Sequence, residues 1–144
     1  MTEPSLSCGN LEGETYRFLW LRTFHPPIAV RLTVTQGTAR ILSVQLSGAG
    51  GYDPGTVVHR AEHLLPPQEW NQVRDAINVA HFWQMGAWEG KPGGLDGAQW
   101  VIEGRAGAKY HVVDRWCPES GPVRELGLLL MRLARLEIAE SAIY

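Results

Sequence analysis

The sequence predicts an α+β domain: an antiparallel sheet of five to six strands with two helices packed on one face, in the order β-β-β-(β)-α-β-β-α. Three observations predict it. Apolar residues alternate with period two through the first third of the chain, between short turns. Two segments carry apolar stripes at helical spacing, each opened by a proline. A further pair of alternating segments flanks a tight Gly turn between those helices.

Residues 1–13 are polar, with Pro4, Gly9 and Gly13, and read as a flexible N-terminal arm ahead of a single domain over 14–144. The stretch TYRFLWLR (15–22) is aromatic and apolar, a strand ended by Pro26 and Pro27, which cannot donate to a ladder. IAVRLTV (28–34) gives a second strand and Gln36-Gly37 a tight turn. In ARILSVQLS (39–47), Ile41, Ser43 and Gln45 alternate with Leu42, Val44 and Leu46, as in a half-buried strand. Residues 48–55 form a glycine-rich connection; no Gly-Lys-Ser/Thr follows to make it a phosphate cradle.

Residues 56–65 fit either a helical face or a strand. The β-branched opening and Pro66 favour the strand. Residues 67–83 read as a helix, with Pro67 in the first turn, Glu69 at its positive end, and Trp70, Val73, Ile77 and Ala80 as its apolar stripe. Residues 84–97 are a long glycine-rich loop. Strands over 98–104 and 108–116 make a hairpin around Ala106-Gly107. A final helix is expected over 122–140, with Leu126, Leu129, Leu130, Leu133 and Leu136 on one side.

Composition narrows the function. Hydrophobic residues at 44% suffice for a packed core. Thirteen Lys and Arg against fifteen Asp and Glu give a net charge of −2, and the arginines are scattered, which argues against nucleic-acid binding. The start lacks a basic-then-apolar leader, and no apolar run approaches a membrane span, so a cytoplasmic protein is expected. Cys8 and Cys117 are too few for a disulfide scaffold or a zinc ribbon.

Candidate chemistry is sparse. HRAEH (59–63) matches the H-x-x-E-H signature, in which two histidines one helical turn apart bind zinc. Between Gly55 and Pro66 there is little room for that helix, so the expected reading is a strand with both histidines facing solvent. LSGAG lacks the elbow context of a nucleophilic serine. Cys117 and His111 are poorly placed to couple, so Cys117 reads as structural. A three-residue turn at Arg105-Ala106-Gly107 would set Glu103 opposite Lys109, Ile102 opposite Tyr110 and Trp100 opposite Val112. Asp114 stands between apolar neighbours and needs a partner, Arg22 or backbone amides of the glycine loop. Asp96-Gly97 reads as an Asx-type turn.

Phe82-Trp83, Leu95-Asp96-Gly97 with Trp100 and Glu103, then Tyr110-His111 and Arg115-Trp116 with Pro118, form a pattern that resembles one in small uncharacterised bacterial proteins. The resemblance covers about the C-terminal third and implies a bacterial origin and a shared core, with no activity attached.

Two functions compete. The first is a non-enzymatic protein-binding domain, most sharply a bacterial immunity or inhibitor protein that docks on and neutralises a toxin. Its candidate surface comprises Trp88, Glu89, Asp96, His111, Asp114 and Arg115, with Trp88 as anchor because glycines surround it. The second is a small-ligand binder or small hydrolase, with a pocket between loop 84–97 and hairpin 98–116 and acid–base chemistry from Glu103, His111 and Asp114. Neither needs a cofactor or metal, and a homodimer is compatible with both.

Overall fold

The computed structural model describes residues 5–8, 12–89, 94 and 96–144. The expected α+β architecture is borne out: six antiparallel strands in one sheet and two helices on one face. Strands β1 (Glu14–Arg22), β2 (Ile28–Thr35), β3 (Thr38–Leu46) and β4 (Val57–Leu65) form a meander. Helix α1 (Pro67–Val79) follows, then β5 (Ala98–Ala106), β6 (Lys109–Trp116) and helix α2 (Pro122–Leu133). The order across the sheet is β4-β3-β2-β1-β5-β6, so β5 returns to pair with β1 and leaves β4 and β6 at the edges. Residues 56–65 resolve to the strand reading. No helix among the described residues is long and apolar enough to cross a membrane.

The core lies between the helices and one sheet face. Tyr16, Phe18 and Trp20 of β1, Trp100 and Ile102 of β5, and Leu126 and Leu130 of α2 are buried together. Trp100 sits at its centre, 5.2 Å from the Phe18 ring and 5.3 Å from Trp20. Helix α2 meets it at a glycine: a Cβ on Gly127 would lie 2.7 Å from the Trp100 ring. The missing side chain lets the helix backbone close onto the indole.

Both helices end earlier than the apolar spacing predicts. Helix α1 stops before His81, which adopts φ 49° in the left-handed region and cannot continue a right-handed helix. The break turns Phe82 and Trp83 back towards the sheet, where both rings meet Tyr16. Helix α2 stops at Leu133 rather than near residue 140. Arg135 takes φ 57°, its amide donates to the Arg132 carbonyl at 3.0 Å, and the Leu136 amide reaches Met131 at 3.1 Å. That pairing is the Schellman stop, here built on arginine where glycine is usual.

The other sheet face is not the open polar surface its alternation suggests. Ala29, Leu42, Val44 and Leu46 form a second buried cluster. Arg17, Glu103 and Arg105 are buried beside it. In the segment read as a loose arm, Leu6 is 1% exposed, and Arg105 Nη1 donates to the Leu6 and Ser7 carbonyls at 3.0 and 3.3 Å. That stretch is therefore anchored across this face.

Candidate functional site

The β5–β6 turn has two residues, not three: Ala106 pairs with Lys109, and Gly107, at φ 57°, supplies the positive φ such a loop needs. The register therefore differs from the expected one. Glu103 faces Val112, Ile102 faces Val113 and Trp100 faces Arg115. Glu103, freed from Lys109, finds its cation on the next strand, where Arg17 stands directly opposite. Arg17 and Glu103 form a buried ion pair, with Arg17 Nε donating to Glu103 Oε2 at 2.7 Å.

Tyr110 completes the network by donating its hydroxyl to Glu103 Oε1 at 2.9 Å. Burial, that hydrogen bond and the Glu103 charge push the Tyr110 hydroxyl up to about 12. Burial, then Glu14, likewise pushes Tyr16 up. A tyrosine that holds its proton longer when folded stabilises the fold fully below its unfolded pKa of about 10 and loses that contribution as pH rises through the folded value. Melting temperature should therefore fall between about pH 10 and 12. Tyr110→Phe should make that fall shallower, with Tyr16 leaving a residual slope. Identical slopes in both proteins would rule out the Tyr110 contribution.

Five of the six candidate surface residues meet at the outer edge of β6. Residues 85–89 run alongside it. His111 Nε2 lies 2.8 Å from the Met85 carbonyl, which can only accept, so this nitrogen carries the proton. The Asp114 amide donates to Ala87 at 2.7 Å, and Trp88 bridges to Asp114 in parallel. Arg115 clamps the same stretch: its guanidinium donates to Gly86 at 2.9 Å and Ala87 at 3.4 Å, and lies 3.2 Å from the Glu89 carboxylate. The sixth, Asp96, is exposed ahead of β5 and shares no hydrogen bond with the other five among the described residues.

Trp88 is thus held along β6 by its bridge to Asp114 and the bond at Ala87, and the residue stays 56% exposed. The other five tryptophans are buried or half-buried. Asp114 is satisfied by Gln99, which donates to Oδ2 at 2.6 Å, and not by Arg22. Arg22 lies over the Trp20 ring at 4.1 Å and donates to Pro26 at 2.8 Å, so its donors are directed elsewhere.

The acid–base set Glu103, His111 and Asp114 does not converge. Glu103 and Asp114 belong to the face away from the helices, and His111 shares the Val113 face, edge-on to Phe82 at 5.2 Å. A cleft of about 490 Å³ does open beside the loop, lined by Met85, Glu89, Arg115, Ser120 and Val123 among others, but none of the three lines it.

The H-x-x-E-H motif lies on β4, and no cluster of metal-binding side chains occurs among the described residues. His59 is exposed. His63, expected to face solvent, instead reaches the Leu133 carbonyl at 3.0 Å, satisfying one of the acceptors left open at the end of α2. Cys8 and Cys117 are free thiols, and Cys117 Sγ accepts the Ala98 amide at 3.1 Å.

Sequence reasoning singled out the Trp88 loop and did not anticipate the Arg17–Glu103–Tyr110 network. A signal was present: Arg17 interrupts an apolar strand on the same face that Glu103 would occupy in β5. No protein-family model matches the chain, and no curated protein matches it.

Proposed function

We propose that this domain is a non-enzymatic protein-binding module that docks a partner through the β6 edge around Trp88, in the manner of a bacterial immunity protein that neutralises a toxin. The observation that carries the reading is an exposed indole on a fixed backbone. A large aromatic already held in position loses little conformational freedom on binding, which is why tryptophans of this kind dominate binding energies. The Arg115 clamp and the Trp88–Asp114 bridge supply the rigidity, and the exposed Glu89 carboxylate offers a partner a charge beside the anchor.

The small-ligand reading has the cleft beside Arg115 in its favour. It lacks a convergent acid–base set, because Glu103 and Asp114 lie on one face of the sheet and His111 on the other, and none of the three lines the cleft.

The test compares the wild-type chain with Trp88→Ala against the products of neighbouring genes. A neighbour whose toxicity the wild type suppresses should bind Trp88→Ala with roughly thirtyfold or greater loss, as expected for a hot-spot residue, at nearly unchanged melting temperature. Binding of every neighbour unaffected by Trp88→Ala would sink the anchor. Unfolding of the variant would place Trp88 in the core instead.

A further inference from the structure

We infer that β4 is a self-complementary edge on which a second copy of this chain docks, extending the sheet across a two-fold axis at Ala61. The inference goes beyond the Trp88 surface, since β4 and β6 are opposite edges of the sheet.

The first observation is the edge itself. Eight of the nine residues of β4 pair with β3, on one side only, with a bulge at Val58 near the start of the strand. Proteins normally blunt such an edge with proline, lysine or a covering segment. The β6 edge has such cover, because Ala87 and Trp88 bond along it. Strand β4 has no internal proline and no lysine, and its side chains include Val58 at 60% and Leu64 at 54% exposure.

The second observation is the order of residues. VVHRAEHLL reads as its own antiparallel complement about Ala61. With Ala61 opposite Ala61 of the second copy, Arg60 faces Glu62 of that copy, and Glu62 faces its Arg60. Arg60, Glu62 and Leu64 share one sheet face, pairing with Val44, Leu42 and Arg40 of β3, while the register shifts between Gln45 and Leu46, so Val58 sits at a bulge. A two-fold perpendicular to the sheet keeps each residue on its face, so both charge pairs form together. Among the described residues, Arg60 and Glu62 make no ion pair within the chain. Slipping the register by two would set Glu62 against Glu62 and Arg60 against Leu64, or Arg60 against Arg60 and Glu62 against Val58. Backbone hydrogen bonds would supply most of the affinity, while the charge pairs fix the register, because exposed ion pairs are individually weak.

Sedimentation of the full chain over a concentration series tests this. The wild type should show a reversible monomer–dimer equilibrium. Arg60→Glu sets two carboxylates against each other at both symmetric sites and should weaken the dimer roughly tenfold or more. Glu62→Arg should do the same with two cations. The double variant Arg60→Glu with Glu62→Arg should restore the dimer. An equimolar mixture of the two single variants should form a heterodimer, since every opposed pair is then Glu with Arg. Circular dichroism confirms that each variant is folded; if one single variant is not, the other and the double variant carry the test. A wild type that is monomeric at all concentrations, or a dimer indifferent to these charges, overturns the proposal.

Discussion

Trp100→Ala is expected to destabilise the domain by about 3–5 kcal/mol, the range for removing a fully buried aromatic. The residue joins three parts of the core. Its ring touches Phe18 and Trp20, abuts the α2 backbone at Gly127, and lies under the Arg124 guanidinium at 5.5 Å. The surroundings cannot collapse easily into the space, because Gly127 has no side chain to move inwards. Denaturant unfolding should show a lower midpoint with an unchanged slope, and melting should fall by about 10 °C or more. Trp100→Phe separates packing from polarity. It keeps an aromatic ring but removes the Nε1 proton donated to the Tyr144 carbonyl at 2.9 Å, leaving that acceptor with Trp20 at 3.3 Å. Its cost should be smaller than that of Trp100→Ala. Equal costs would show that the hydrogen bond, and not the ring, is what matters.

Glu103→Ala is expected to cost a comparable amount, about 3–5 kcal/mol, for a different reason. Removing one member of a buried ion pair takes away a counter-charge that offset the burial of the other. Arg17 would lose its Glu103 carboxylate, and the Tyr110 hydroxyl would lose its acceptor. Glu103→Gln should cost less, since an amide oxygen can still accept from Tyr110 although the carboxylate charge beside Arg17 is gone. Denaturant titrations of the two variants decide the matter. If Glu103→Ala is as stable as the wild type, the network contributes nothing net to the fold.

The strands were legible because a sheet imposes period two, but the faces were not: β3, expected to be half-buried, has Ile41 and Ser43 buried on one side and Leu42, Val44 and Leu46 buried on the other. The strand nature of β4 was legible from Pro66, which disfavours a helix immediately before it. Helix ends were not legible. His81 and Arg135 adopt left-handed backbone without being glycine, and their spacing continues the apolar stripe past the true stop. The hairpin register was lost to the turn, because Gly107 fits either the end of a three-residue loop over 105–107 or the start of the two-residue Gly107-Ala108 loop that forms. Each choice assigns Glu103 a different neighbour. At the candidate site, the exposure of Trp88 followed from the glycines around it, whereas its rigidity depends on Arg115 reaching back to Gly86 and Glu89, which no local pattern encodes. Asp114 stood out as a carboxylate between apolar neighbours that would need a donor, but Gln99 could be chosen over Arg22 only once the register was known.

The pairing of β1 with β5 also bears on how the chain folds. Arg17 and Glu103 are 86 positions apart, so the middle of the sheet is a seam between two locally built pieces: the β1–β4 meander and the β5–β6 hairpin. Each piece can zip through short turns, whereas the seam must await closure of a long loop that contains α1. Topologies dominated by such distant contacts fold slowly. Here the search converges on β1, which carries Tyr16, Phe18 and Trp20, so until β5 arrives, Phe18 and Trp20 lack the Trp100 ring that packs against them.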